Sequence, residues 1–298
     1  MSKILKGLIA PQLTPFNSDG SINYNEYTRL TSYLTGNGVN GIFVCGTTGE
    51  FVNLTIQERI NLLRAAQDGI RNDATILFNV TALNLEDVQI LCDAAKNFDA
   101  DAVSFTPPYY HSYDQIALAS YFEKSIACAG DIPVYLYNMP GMTKNPITPA
   151  LLSRLCKTCP TIRGIKDSSM DYMTFLEFQN CKPDSDFRII TGNDAQVLTT
   201  LMAGADSAVI AMAGVFPCLC KSIFTLFEEG KLNEAKAAQD TVMELRGLVR
   251  SVMPIMSHKY ILEKLGFCMG PARYPFRNLN VSEKEKIDST LASLNLLP

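Results

Sequence analysis

The segment Thr161-Ile162-Arg163-Gly164-Ile165-Lys166-Asp167-Ser168-Ser169 passes from an apolar run to a polar one through a lysine. The apolar part reads as a short buried strand, and Lys166 falls where that strand gives way to loop. A lysine there is either paired with a carboxylate or kept for chemistry. Burial disfavours the charged form of an amine, and a neutral amine attacks a ketone to form a Schiff base.

Seven more apolar, β-rich runs flank this one: Leu8–Phe16, Gly41–Gly46, Thr75–Thr81, Ala102–Pro107, Pro133–Asn138, Arg188–Gly192 and Ala208–Ala213. With Ile162–Lys166 they make eight. Each is followed by a helical-period segment, near 23–37, 55–71, 85–98, 113–129, 148–157, 171–181, 195–203 and 217–229. Thr55-Ile56-Gln57-Glu58 has the form of a capping box, and Thr148-Pro149 places a cap before a proline in the first helical turn. Eight strand–helix units predict an α/β fold, a (β/α)8 TIM barrel. The glycine fingerprint of a doubly wound sheet is missing after the first strand. Further helices are expected near 231–249, 251–265 and 283–295. The expected organisation is a catalytic barrel over 1–230 and a C-terminal helical extension over 231–298. No Pro/Gly/Ser linker separates them, so the extension should pack on the barrel.

Composition narrows the function classes. The 298 residues carry a net charge of −4, with charges of both signs scattered along the chain. No basic block points to nucleic acid or an anionic membrane, and no apolar run reaches transmembrane length. The start Met1-Ser2-Lys3-Ile4-Leu5-Lys6-Gly7 lacks a signal-peptide layout. Nine cysteines, an odd number, argue against a disulfide framework and for a reducing cytoplasm. Cys156-Lys157-Thr158-Cys159 has no second CxxC or paired histidine, and His111 and His258 are far apart, so no metal is expected.

A parallel barrel carries its site at the C-terminal ends of its strands. Gly46-Thr47-Thr48-Gly49-Glu50 follows the second run. Its N–H groups and hydroxyls suit a carboxylate cradle, although an ordinary Gly/Thr turn fits the pentapeptide equally well. Thr106-Pro107-Pro108-Tyr109-Tyr110-His111 follows the fourth run and offers phenols for catalysis or for packing at an interface. Tyr137 ends the fifth run and could shuttle protons beside a lysine, or be a core tyrosine. Gly192-Asn193-Asp194 and Ala213-Gly214-Val215-Phe216-Pro217 follow the last two runs as possible pocket walls. Five such signals at one end of successive strands weigh far more than any single one.

Together these residues resemble the pyruvate-dependent class I aldolases, the family of dihydrodipicolinate synthase, N-acetylneuraminate lyase and 2-keto-3-deoxygluconate aldolase. Gly46-Thr47-Thr48-Gly49-Glu50 resembles its carboxylate loop, Tyr137-Asn138-Met139-Pro140 its YNxP motif, and Gly164-Ile165-Lys166-Asp167 its Schiff-base motif. The resemblance implies that Lys166 forms an imine with a 2-keto acid and that Tyr137 relays protons. It implies that Thr47 and Thr48 hold the carboxylate, with Thr47 linking Tyr137 to a second tyrosine, Tyr110, which in several members reaches across a dimer interface. The implied substrate contacts are Gly46, Thr47, Thr48, Met142, Gly192, Asn193, Asp194 and Ile210. The implied partners are pyruvate and an aldehyde, the implied assembly is a dimer of dimers, and no metal or organic cofactor is needed.

Met142 stands where dihydrodipicolinate synthase has an arginine, and a methionine cannot hold a second carboxylate. Asn193-Asp194-Ala195 lacks the glutamate of the sialic-acid lyase pattern. By elimination the resemblance favours an aldolase for a 2-keto-3-deoxy sugar acid or a related 4-hydroxy-2-keto acid, with dihydrodipicolinate synthase or N-acetylneuraminate lyase as alternatives. A non-catalytic keto-acid-binding barrel is the alternative from another class. A phosphate-binding barrel is disfavoured because no Gly-rich phosphate loop follows the seventh or eighth run.

Overall fold

The computed structural model describes residues 4–296. The N-terminal reading at Met1–Lys3 and the last two positions of the extension therefore lie outside the described residues. Eight parallel strands close on themselves in chain order: β1 (Gly7–Pro11), β2 (Gly41–Val44), β3 (Thr75–Asn79), β4 (Ala102–Phe105), β5 (Val134–Asn138), β6 (Ile162–Asp167), β7 (Arg188–Thr191) and β8 (Ser207–Val209). β1 pairs with both β2 and β8.

The helices between strands are α1 (Tyr24–Gly36), α2 (Ile56–Gly69), α3 (Leu85–Asn97), α4 (Gln115–Ala129), the short α5 (Pro140–Thr143), α6 (Pro149–Thr158), α7 (Tyr172–Gln179) and α8 (Val197–Met202). After β8 come α9 (Pro217–Glu228), α10 (Leu232–Ser251), α11 (Pro254–Lys264) and α12 (Val281–Ser293). The two predicted starts hold. Thr55 and Glu58 satisfy one another's backbone N–H groups, and Thr148 caps α6 with Pro149 in its first turn. No helix among the described residues is long and apolar enough to cross a membrane.

Strand pleating sorts side chains into two layers. Ile9, Phe43, Leu77, Ala102, Tyr135, Tyr137, Ile190 and Val209 pack together inside the barrel. Their strand neighbours, among them Leu8, Ile42, Phe78, Leu136 and Ile165, join the larger core between strands and helices. On β6 the alternation turns Ile165 outward and Lys166 inward, toward the rings of Phe43 and Tyr137. Gly164 is required two residues before Lys166, because a Cβ there would collide with the Arg188 carbonyl and sit 2.8 Å from the Tyr135 ring.

Most strands are shorter than the apolar runs that predict them, and β1 and β8 end furthest short. β1 stops at Pro11, after which the buried Gln12 side chain donates to the Tyr27 carbonyl at 2.7 Å. β8 stops at Val209, and Ala211–Gly214 forms a 3-10 turn whose Met212 N–H donates to Asp194 Oδ1 at 2.8 Å. The same pleat corrects one expected site residue. Val209 faces the barrel interior, so Ile210 points the other way, fully buried in the outer core, and its side chain cannot reach a ligand at the barrel mouth.

Candidate active site

β5 and β6 run in register with Tyr137 opposite Lys166 and Asn138 opposite Asp167. Both Tyr137 and Lys166 are buried, and the Lys166 Nζ lies 3.8 Å from the centre of the Tyr137 ring. The Thr47 and Tyr137 hydroxyls lie 3.3 Å apart, in a hydrogen bond that either can donate. Burial pushes the Tyr137 phenol up, but the Lys166 charge and hydrogen bonds from Thr47, Lys166 and Ser168 outweigh it and hold the phenol below its usual value. A phenol so held releases its proton more readily than a free one.

The pairing that would make Lys166 merely structural is missing. Among the described residues no carboxylate lies within ion-pair distance of its ammonium. The adjacent Asp167 is turned away. It accepts from Asn138 Nδ2 at 2.7 Å and from the Ser169 hydroxyl at 2.8 Å, and burial pushes its carboxyl up. Gly192 gives the lysine room. A Cβ at this position would collide with Ser168 Oγ and come within 2.9 Å of Lys166 Cε.

The Thr47–Thr48 loop is held from below and behind. Gly49 N–H donates to the Gly46 carbonyl at 3.0 Å, and the Gly49 carbonyl accepts from Thr14 Oγ1 at 2.8 Å. Glu50 then adopts a left-handed conformation, φ 61°, which drives its side chain into the protein. There its carboxylate meets the ammonium of Lys259 on α11 at 2.5 Å. Both residues are fully buried, and no other hydrogen bond satisfies either charged group among the described residues. The close contact is therefore an ion pair without the alignment of a good hydrogen bond. Burial pushes Glu50 up and Lys259 down, each opposed by its partner.

Above the loop opens a cavity of about 480 Å³. Thr47 and Thr48 line its floor, and Phe51, Val52, Tyr109, Met142, Ile255 and Phe276 are among its walls. Lys166 and Tyr137 lie inside the barrel and meet this floor through the Tyr137–Thr47 hydroxyl contact.

Comparison with known proteins decides the kinship of this arrangement. The sequence pattern of the Dihydrodipicolinate synthetase family matches residues 4–294. The chain belongs to the dihydrodipicolinate synthetase family. It is accordingly an enzyme of the lyase/aldolase class. It is 32% identical to a 4-hydroxy-tetrahydrodipicolinate synthase of Prochlorococcus marinus, over 97% of this chain and 95% of the relative. It is 30% identical to an uncharacterized DapA-like lyase of Halobacterium salinarum, over 98% of this chain and 95% of the relative. Among solved structures, YagE, a prophage protein of E. coli K12 in complex with pyruvate, superposes with a TM-score of 0.92 at 26% identity, covering 99% of this chain and all of its own (100%). The wild-type sialic acid aldolase of Ruminococcus gnavus superposes with a TM-score of 0.92 at 25% identity, covering 97% of each chain.

Within this dihydrodipicolinate synthetase family member, the expected residues separate into two groups. Lys166, Tyr137, Thr47, Thr48, Gly46 and Gly192 come together at one end of the barrel. Met142 also reaches the cavity, on the exposed rim contributed by α5. Asn193 and Asp194 are spent on local structure: Asn193 accepts from Ala195 N–H and donates to Gln196, while Asp194 anchors the Ala211–Gly214 turn. Tyr110 stands apart. It is 77% exposed, has φ 84°, and stacks edge-on with His111, while the preceding Tyr109 enters the cavity.

Sequence reasoning missed the contribution of α11 and the segment beyond it. Pro254, Ile255 and His258 of α11, and Phe276 further on, all line the cavity. Ser257, His258 and Lys259 are three consecutive polar residues, all buried. Three buried polar residues in one helical turn were the available signal, but only a known neighbour for each would have interpreted it.

Proposed function

We propose that this enzyme forms a Schiff base between Lys166 and pyruvate and uses it to make or break a carbon–carbon bond. The observation that carries this reading is the buried, carboxylate-free amine of Lys166 against a Tyr137 phenol hydrogen-bonded to Thr47. Lys166 attacks the ketone, and loss of water leaves a protonated imine. That imine withdraws electrons from the neighbouring methyl carbon, which loses a proton to become the enamine nucleophile. Tyr137 supplies and removes protons at the carbinolamine and at the aldehyde oxygen, with Thr47 orienting its hydroxyl. The hydroxyls and backbone N–H groups of Gly46–Thr48 hold the pyruvate carboxylate. The chemistry calls for no metal or organic cofactor, because the imine is itself the electron sink.

Borohydride reduction in the presence of pyruvate tests this directly. Intact-mass and peptide analysis should find an irreversible adduct on Lys166, and an adduct that persists in Lys166→Ala would sink the assignment. Tyr137→Phe should lower turnover by about 10²–10⁴-fold, the range for losing a positioned proton-transfer group. Steady-state kinetics check this, and unchanged turnover would confine Tyr137 to packing.

The exposed Tyr110 fits the family device in which a tyrosine from one subunit completes the hydroxyl chain of the next, within a dimer of dimers in the cytoplasm. The second substrate is a separate question. The names of the closely matching relatives favour a dihydrodipicolinate-type condensation, but the side chain at 142 is methionine. The 2-keto-3-deoxy sugar acid favoured by elimination needs a partner for each of its hydroxyls. The cavity walls offer few: Thr143 Oγ1 donates to the Met139 and Asn145 carbonyls, and Thr106 is bonded to Thr81. This lining weighs against a polyol and against an N-acetylated sugar alike.

A further inference from the structure

We propose that the aldehyde partner is an aromatic aldehyde, bound with its ring in the cavity above the Thr47–Thr48 loop. The assignment rests on the pyruvate–Lys166 reading and names the other substrate of the same site.

Charge comes first. Among the described residues no arginine or lysine lines the cavity, so a carboxylate or phosphate on the aldehyde would lie there without a cation. The one acidic lining residue, Glu50, is already neutralised by Lys259. His258 Nδ1 lies 2.5 Å from the Pro254 carbonyl, so that nitrogen carries the proton and donates, leaving Nε2 a neutral acceptor without a protein partner.

Hydroxyl capacity comes second. Beyond the Thr47–Thr48 pair, the hydroxyls of Thr106 and Thr143 are engaged within the protein. That leaves the Tyr109 phenol, with His258 Nε2 itself buried, for a chain that would carry several hydroxyls. A ligand hydroxyl without a partner loses its water and gains nothing in return.

Shape and surface come third. Phe51 and Tyr109 meet edge to face, with ring centres 6.3 Å apart, and Phe276 and two methionines, Met139 and Met142, complete the apolar wall. Aromatic edges and thioether sulfurs both pack favourably on an aromatic ring. Val52 and Met142 are 59% and 64% exposed at the rim, and an apolar ligand would cover them. A volume of about 480 Å³ leaves ample room for a single aromatic ring beside the Thr47 hydroxyl that bonds Tyr137.

The step balances without an oxidant or reductant. The enamine carbon attacks the aldehyde carbon, and the electron pair of the carbonyl moves to oxygen, which takes a proton from Tyr137. Water then hydrolyses the imine, freeing Lys166 and a 4-hydroxy-2-keto acid with an aryl group on its fourth carbon.

The test compares benzaldehyde, D-glyceraldehyde and glyoxylate as acceptors with pyruvate, following product by mass spectrometry beside borohydride trapping of Lys166. Benzaldehyde should exceed the other two in kcat/KM by about 10²-fold, the discrimination an apolar pocket achieves. Met142→Arg, on the exposed rim, should shift the benzaldehyde-to-glyoxylate ratio at least about tenfold toward glyoxylate by supplying the missing cation. Equal or better use of glyceraldehyde or glyoxylate, or a ratio unmoved by Met142→Arg, overturns the proposal. Trapping at Lys166 without consumption of benzaldehyde overturns the acceptor assignment alone. Failure to trap removes both it and the Schiff-base reading.

Discussion

Lys166→Met is expected to lower turnover by at least about 10⁴-fold while leaving the fold intact. Loss of a covalent nucleophile removes the whole reaction path rather than one stabilising contact, and such losses reach about 10⁶-fold. Methionine keeps most of the side-chain volume, so the space that Gly192 leaves open stays filled. The amine has no carboxylate partner to orphan. The variant should therefore melt at the wild-type temperature or above it, the usual sign of a residue retained for chemistry at a cost in stability. It should also return the Tyr137 phenol toward higher pKa, because the largest influence opposing burial there is the Lys166 charge. Ultraviolet titration of tyrosine would register that rise. A variant that unfolds, or keeps measurable turnover, would mean that Lys166 serves structure.

Lys259→Met should have the opposite profile, with a large loss of stability. Removing one member of a buried ion pair strands the other charge, at a cost of about 3–5 kcal/mol. Here the stranded group is Glu50, fully buried and without another hydrogen bond among the described residues. Its pH dependence has a definite sign. Burial already raises the Glu50 carboxyl, and Lys259 opposes that rise, so the variant raises it further. A carboxyl raised in the folded state stabilises fully below its unfolded pKa, near 4.3, and loses that contribution as pH rises through the folded value. The deficit of Lys259→Met against wild type should thus be largest at neutral pH and shrink toward about pH 4. Chemical denaturation across that range checks it. Glu50→Gln combined with Lys259→Met should recover much of the loss, because the two sites share one interaction. A uniform deficit at every pH would mean that packing, not charge, is what Lys259 supplies.

The Glu50–Lys259 pair also marks the boundary of what the sequence can disclose. Strands, helix caps and the three motifs are local patterns, so their positions could be read with nothing but neighbours in sequence. Lys166 and Tyr137 could be joined because each ends a strand, and a parallel barrel gathers strand ends. Ile210 went wrong by one step of the pleat, which no run of apolar residues can resolve in a strand buried on both faces. The tyrosine entering the cavity is Tyr109 and the exposed one is Tyr110, a distinction set by the positive φ at position 110. The short α5 was hidden because Met139-Pro140 reads as a loop, although proline is at ease in a first helical turn. Glu50 and Lys259, by contrast, are joined only by the tertiary fold. Nothing near either residue announces the other, and the same is true of Phe276 and His258 in the cavity wall.

The circuit of strands from β1 round to β8 and back to β1 bears on how copies of the chain can meet. Among the described residues every strand already has two neighbours, so no strand edge is left over as a template for another strand. Self-association must therefore be written in side chains on helices and loops, where single substitutions can strengthen, weaken or redirect it. Quaternary structure in this architecture is open to change without disturbing the sheet that positions Lys166.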